Sequence, residues 1–223
     1  MGQREKQDHK GLRARIGGMT DPLVSCICLT RNRREWLPKA IDCFEQQTYS
    51  QRELVIVWDG EPVADLVPSA DNIRLVEYQQ KDYKIGQKRN FANGHASGEI
   101  IAHWDDDDWS APTRIEDQVK RLVESDKSVF GYHIVEFEGA TEGRWAYRGS
   151  TSFAVGTSLC YRKDWWEAHK FSERQVGEDS DFAREAQYKF QLSTSDGSGM
   201  ILASIHPGNT SKRNLNGHPW VKL

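Results

Sequence analysis

Long apolar runs are missing from this chain of 223 residues. No stretch approaches the roughly 20 apolar residues that a bilayer span requires, and the polar start Met1-Gly2-Gln3-Arg4-Glu5-Lys6 has no signal-peptide core. The expectation is a soluble, cytoplasmic protein. Cysteine is scarce, with four residues at Cys26, Cys28, Cys43 and Cys160, and their spacing matches no zinc or redox template. Disulfides are therefore not expected. Cys26 and Cys28 alternate with Ser25 and Ile27 as in a strand and read as small core side chains. Charge of one sign is also lacking: a net charge of −3 gives no global pull toward nucleic acid or acidic membranes. The local exception is the first segment, where Arg4, Lys6, Lys10, Arg13 and Arg15 make residues 1–21 a basic arm expected to be disordered and suited to an acidic partner.

What the chain does have is a run of four adjacent acids in His103-Trp104-Asp105-Asp106-Asp107-Asp108-Trp109. Adjacent carboxylates repel one another, so something cationic must hold them unless they form a solvated turn or an acidic helix start. The apolar stretch from Glu99 to Trp104 reads as a short buried strand opened by Ser97-Gly98. The acids then lie at the carboxyl end of a strand, where open α/β sheets bind ligands. Hard oxygen donors at that place suit Mg²⁺ or Mn²⁺, which would neutralise the diphosphate of a nucleotide.

Along the chain, strands are predicted at 23–29, 53–58, 72–78 and 99–104, with helices over 34–46 and 86–96. This alternation implies an α/β fold with a mostly parallel sheet in the first half. After Pro112 a helix is expected to Ser125, then short strands with Gly-rich turns over 128–161, helices over 163–169 and 178–190, and a strand over 200–204. No linker separates the two halves. The chain divides on this reading into 1–21, a domain over 22–210 with a nucleotide-binding half (22–108) and an acceptor half (109–210), and a polar tail or lid over 211–223. Eight tryptophans are many for this length, and flat indole faces suit sugar rings as well as cores.

Five motifs occur in order: Val24 to Asn32, Glu53 to Gly60, Gly86-Gln87-Lys88-Arg89-Asn90, Asp105 to Asp108, and Gly177-Glu178-Asp179. Together they resemble the family 2 glycosyltransferases of the GT-A fold over roughly residues 22–210. The resemblance implies a single Rossmann-like mixed β-sheet flanked by helices, with a smaller acceptor-side β region. It further implies an inverting enzyme that moves one sugar from a nucleotide-diphosphate sugar, UDP-linked by preference, to an acceptor hydroxyl.

By the same resemblance, Asp59 accepts the N3–H of the base, Thr30 and Arg31 pack the base and ribose, and Lys88 and Arg89 contact base or diphosphate. The Asp run matches the DXD motif: Asp107 binds the metal, Asp105 or Asp106 takes the ribose hydroxyls, and four acids in a row leave this assignment open by one residue. His206, after the last strand, is a further metal ligand. Asp179 is the general base, with Asp181 its rival two positions on. Gly156 to Leu159 with Trp165 and Trp166 resembles an acceptor wall, and Lys212 and Arg213 a mobile lid over the diphosphate. The Gln-x-x-Arg-Trp signature of processive members is absent, which favours a single transfer. The acceptor stays open among a glycan, a lipid-linked sugar, a small molecule and a modified DNA base. Two readings compete with this one: a metal-dependent nucleotidyl or phosphoryl transferase, and a non-catalytic binder of nucleotides or carbohydrate.

Overall fold

The computed structural model describes residues 21–211 and 214–223. The basic arm at 1–20 and the lid cations Lys212 and Arg213 lie outside the described residues. Strands alternate with helices in the first half: β1 (Val24–Arg31), α1 (Leu37–Glu45), β2 (Arg52–Asp59), β3 (Ile73–Glu77), α2 (Ile85–Gly94) and β4 (Ile100–His103). The second half comprises β5 (Trp109–Ser110), α3 (Arg114–Ser125), β6 (Val129–Gly139), β7 (Gly143–Arg148), β8 (Cys160–Arg162), α4 (Lys163–Ala168), α5 (Glu178–Tyr188), β9 (Leu192–Asp196), β10 (Ile201–Ile205) and β11 (Trp220–Lys222).

All eleven strands of the described residues join one mixed sheet, ordered β11-β7-β6-β8-β4-β1-β2-β3, with β9 and β10 also on β6 and β5 on β10. Parallel pairing holds in the first half, where β1 lies between β2 and β4. The expectation of a mostly parallel sheet ends there, because β8 runs antiparallel to both β4 and β6. β6 is not a short strand either: its eleven residues serve as the spine on which β7, β8, β9 and β10 pair. Three strands went unpredicted. β5 and β11 have two and three residues, too few to show a period, and β9 is the polar run Leu-Ser-Thr-Ser-Asp.

Both faces of the sheet are covered, so its inner strands are apolar on both sides, as parallel strands buried between layers must be. Val24, Cys26 and Cys28 of β1 pack into one cluster with α1 and α3, while Ile27 enters the other with α2, α4 and α5. The four cysteines are free and buried, and burial pushes the thiols of Cys26, Cys28 and Cys160 up. No helix among the described residues is long and apolar enough to cross a membrane.

The region read as a tail returns to the sheet: β11 pairs antiparallel with β7, setting Trp220 opposite Tyr147. α1 starts three residues later than expected, with Pro38 in its first turn, where a missing N–H costs no helical bond.

Candidate active site

The carboxyl end of β1 and the loop that follows β4 open on a cleft of about 320 Å³. Its walls come from the Asp105–Asp108 loop, the 3₁₀ turn Gly156–Ser158, the start of α5 and an aromatic group from β6, β7 and β11.

Backbone turning after β4 sorts the four acids. Asp105, Asp107 and Asp108 bring one oxygen each within 4.8 Å of one another, a group able to hold a metal ion. Asp106 is turned back and buried, with Arg33 donating to it at 2.9 Å and the Thr30 hydroxyl beside it. Asp107 Oδ2 accepts from Arg33 at 3.1 Å and from His206 Nε2 at 2.9 Å. Asp108 accepts from Thr157 Oγ1 at 2.6 Å and from the Ser204 amide at 2.9 Å. It was missed as a member of the group, although the length of the run was the available signal.

Burial, reinforced by Asp105 and the other neighbouring acids, pushes the Asp107 carboxyl up to about 7 and that of Asp108 up to about 8. One guanidinium, Arg33, pairs with Asp106 and Asp107, and the run has more negative charge than that cation balances. An all-oxygen donor set with that surplus fits a hard divalent ion. His206 stands against Asp107 and stacks on Trp36 at 4.8 Å between centroids. Its Nδ1 accepts from the Gly208 amide, so the proton sits on Nε2 and is donated to Asp107. Burial, with Arg33 nearby, lowers its pKa and keeps the ring neutral.

Across the cleft, Gly177 opens α5 with φ +86°, a left-handed turn that glycine takes without strain, and the next residues Glu178 and Asp179 form the helix's first turn. Glu178 is buried and receives Arg89 at 3.1 and 3.3 Å. Arg89, expected on base or diphosphate, is thus committed to anchoring the start of α5. Asp179 faces the cleft and lies against Gly156, where a Cβ would stand 1.6 Å from Asp179 Oδ2. Glycine at 156 is therefore the seat of this carboxylate.

Two residues that sequence reasoning missed hold that seat. His103, neutral because burial lowers its pKa well below the usual value, donates from Nδ1 to the Gly156 carbonyl at 2.7 Å. Arg114 is buried and donates to the carbonyls of His103 and Thr157 at 2.6 and 2.7 Å and to Ser110 Oγ at 2.7 Å. The rival Asp181 points away, held by Arg174, Arg184 and Ser172, and the Arg174 hydrogen bond keeps its carboxyl below the usual range.

At the ends of β1 and β2, Asp59 meets Lys88, which also donates to the Thr30 carbonyl at 2.7 Å. Tyr83 donates to Asp59 at 2.7 Å, and the exposed Arg31 lies 3.2 Å from the same oxygen. Three donors leave this carboxylate one of about four acceptor positions. Burial lowers the Lys88 pKa, opposed by Asp59. Tyr83 was not foreseen, since a lone tyrosine after a loop has no periodic signal.

Trp165 and Trp166 do not form the acceptor wall. Both are buried on α4; Trp165 stacks on His169 at 3.8 Å and Trp166 donates to Asn90 at 3.0 Å. Their place on the cleft is taken by Phe137, Tyr147, Phe153 and Trp220.

Comparison with known proteins gives a consistent result. The profile of Glycosyl transferase family 2 matches residues 25–183. A GalNAc(5)-diNAcBac-PP-undecaprenol beta-1,3-glucosyltransferase of Campylobacter jejuni is 28% identical over 134 residues, which are 57% of this chain and 43% of the relative. The chain thus spans less than half of that relative's length. Among solved structures, S. aureus TarS 1-349 in complex with UDP-GlcNAc superposes with a TM-score of 0.69 at 18% identity, covering 84% of this chain and 60% of that one. The mannosyltransferase PcManGT from Pyrobaculum calidifontis, in complex with GDP-Man and Mn²⁺, gives a TM-score of 0.65 at 16% identity, covering 91% and 66%. These likenesses show the GT-A fold.

Proposed function

The chain belongs to glycosyl transferase family 2, and from that premise we propose that it transfers one sugar from a UDP-sugar to an acceptor hydroxyl with inversion at the anomeric carbon. The observation that carries this reading is the placement of two carboxylate groups in one cleft: Asp105, Asp107 and Asp108 on the strand-end side and Asp179 on the helix side. A donor lying between them presents its diphosphate to the first and its anomeric carbon toward the second.

The residues that would hold a divalent ion, Mg²⁺ or Mn²⁺, are Asp107 with Asp105 and Asp108; when bound it supplies charge neutralisation for the diphosphate and for the departing nucleoside diphosphate. Asp105 takes the ribose-side role, because Asp106 is turned back from the acid group and buried against Arg33. His206 orients Asp107 through the proton it donates. Asp59 keeps one acceptor position for the N3–H of uracil, fixed by Lys88 and Tyr83. Thr30 supports this site through its carbonyl, and Arg31 flanks it with its guanidinium over the Tyr83 ring at 5.7 Å. Asp179 removes the proton of the acceptor hydroxyl as it attacks from the face opposite the leaving group. The seat at Gly156 fixes that carboxylate, so little reorientation is needed during attack.

The relatives support the donor class. TarS was solved with UDP-GlcNAc, PcManGT with GDP-Man and Mn²⁺, and the Campylobacter enzyme carries a lipid-linked acceptor in its name. A nucleotidyl-transfer reading fits less well, since it calls for acids from separate strands around two ions, whereas all three clustered acids come from one loop.

Titration calorimetry of UDP and GDP, each with Mn²⁺ or with EDTA, tests the donor side. UDP is expected to bind in the presence of the ion and to lose at least about tenfold in affinity in EDTA, because two like charges need a bridging cation. Equal affinity in EDTA would remove the metal role, and preference for GDP would remove the uracil assignment. Release of free UDP from a panel of UDP-sugars identifies the sugar.

A further inference from the structure

The acceptor side of the cleft is made of rings rather than charges. Phe137 of β6, Tyr147 of β7, Phe153 and Trp220 of β11 all line it. The wall is continuous: Trp220 meets Phe137 at 4.9 Å and Tyr147 at 5.2 Å between centroids, and Tyr147 meets Phe153 at 5.9 Å. Three residues after Phe153 comes Gly156, on which Asp179 rests. The rings and the carboxylate thus line one cleft, with Val155 and Gly156 lining it between Phe153 and the seat of Asp179.

We infer that this wall is the acceptor subsite and that it takes a pyranose ring of a carbohydrate, with Trp220 as the principal platform. The inference rests on the glycosyl-transfer reading of the same cleft. Three observations select the class of ligand. The only cations lining the cleft among the described residues are Arg33 and Arg89, and both are bound to acids, Asp106 with Asp107 and Glu178 respectively. Among the described residues, no phosphate or carboxylate on the acceptor finds a free positive partner there.

The rings also stand at angles of 69°, 75° and 53° to one another. They form an angled platform and not the parallel slot that sandwiches a flat nucleobase. A pyranose chair offers one apolar C–H face for such a platform and a rim of hydroxyls, one of which reaches Asp179 while the face lies on the rings. Finally, Trp220 is held in register opposite Tyr147 by the β7–β11 ladder, and it remains half-buried, with indole surface left for a ligand.

In the transfer itself, the acceptor oxygen forms the new bond to the anomeric carbon, its proton passes to Asp179, and the bond to the nucleoside diphosphate breaks with its electron pair leaving on that group. The wall takes no part in these bond changes. Its role is to hold the ring so that one hydroxyl is presented.

The experiment is saturation-transfer NMR on the full chain with UDP and Mn²⁺ present, using methyl glycosides of glucose, galactose and N-acetylglucosamine, with octyl glucoside and thymidine as comparison probes. At least one methyl glycoside is expected to receive saturation on its ring C–H protons. Trp220→Phe should retain the signal, whereas Trp220→Leu, which keeps apolar volume but no π face, should weaken binding on the order of tenfold. Val221→Ser, at the exposed neighbouring position of β11, should behave as wild type.

Equal binding by the Leu and Phe variants would reduce Trp220 to packing and overturn the inference, as would loss of binding in Val221→Ser. Binding that tracks the octyl chain would assign the wall to an apolar aglycone, and saturation of thymidine alone would assign it to a base; either result overturns it. Calorimetry keeps the two readings apart. UDP binding with no methyl glycoside bound sinks the sugar platform and leaves the donor site standing, whereas glycoside binding that requires the indole, without UDP binding, does the reverse.

Discussion

On the strand-end side of the cleft the acids outnumber the cations that face them, whereas on the opposite side Asp179 rests on a glycine next to the paired Glu178 and Arg89. The strand-end side, where the donor is proposed to bind, is electrostatically incomplete by construction. Of four adjacent carboxyls, Arg33 reaches Asp106 and Asp107 and His206 reaches Asp107, and burial with the neighbouring acids pushes the carboxyls of Asp107 and Asp108 up. The side proposed for the acceptor is complete as folded, because its rings pack on one another and Asp179 is seated by shape. Ligands of the first side should therefore depend on ions and pH, and ligands of the second on side-chain shape.

The largest effect is expected from Asp107→Ala, which removes the acid at the centre of the donor-side network. Both UDP affinity and turnover should fall, together on the order of 10⁴-fold in kcat/KM, read by calorimetry and by transfer kinetics. UDP binding that keeps its dependence on Mn²⁺ in this variant would place the ion elsewhere.

Asp179→Asn should instead separate binding from chemistry. Loss of a general base costs on the order of 10²- to 10⁴-fold in rate, or about 3 to 5 kcal/mol of barrier, while UDP affinity stays within about threefold. Asp181→Asn, on the far face of α5, should transfer at close to the wild-type rate. The reverse pattern would hand the role to Asp181.

A smaller loss is expected from Gly156→Ala. The added methyl occupies the position of Asp179 Oδ2 and must push the carboxylate aside, which should lower kcat on the order of 10²-fold at little cost in donor affinity. Unchanged kcat would show that the seat is not needed.

The smallest effect is one of stability. Asp107 and Asp108 titrate higher in the folded than in the unfolded chain, so between about pH 4 and pH 8 the folded state binds more protons. Stability contributed by the protonated carboxyls is complete below about pH 4 and is lost as pH rises through 7 and 8. In EDTA the melting temperature should drop by about 5 °C between pH 6 and pH 9, and saturating Mn²⁺ should remove the drop, because the ion replaces the protons. A metal-free melting temperature that is flat over this range would contradict the buried, proton-retaining acids.

Much of the donor half was legible because its signals are local. β1, β2 and β4 are buried on both faces and read as largely apolar runs, and the acid run follows one residue after β4. The acceptor half was harder for a reason that Trp165, Trp166 and Trp220 show together. All three are apolar and stand near polar residues in sequence. Two face the core of α4, and one reaches the cleft through a strand pairing across more than 70 positions, Trp220 with Tyr147. Long-range pairing leaves no mark on a three-residue strand.

The sequence by itself determined the residue types of the site: the oxygen donors of the Asp run, the acid pair at the start of α5, and glycine at 156. It also determined that Asp179 and Asp181 diverge, since two helical positions are 200° apart. Only the tertiary structure decided which of them faces the cleft, through the packing of Phe182, Ala183 and Ala186 into the core. It likewise decided that Arg33 draws Asp106 out of the acid group while Thr157 and Ser204 bring Asp108 into it. The physical reason is the same in each case. A side chain's identity sets what it can bind, but its partners come from elements distant in the chain, and those are fixed only when the sheet closes.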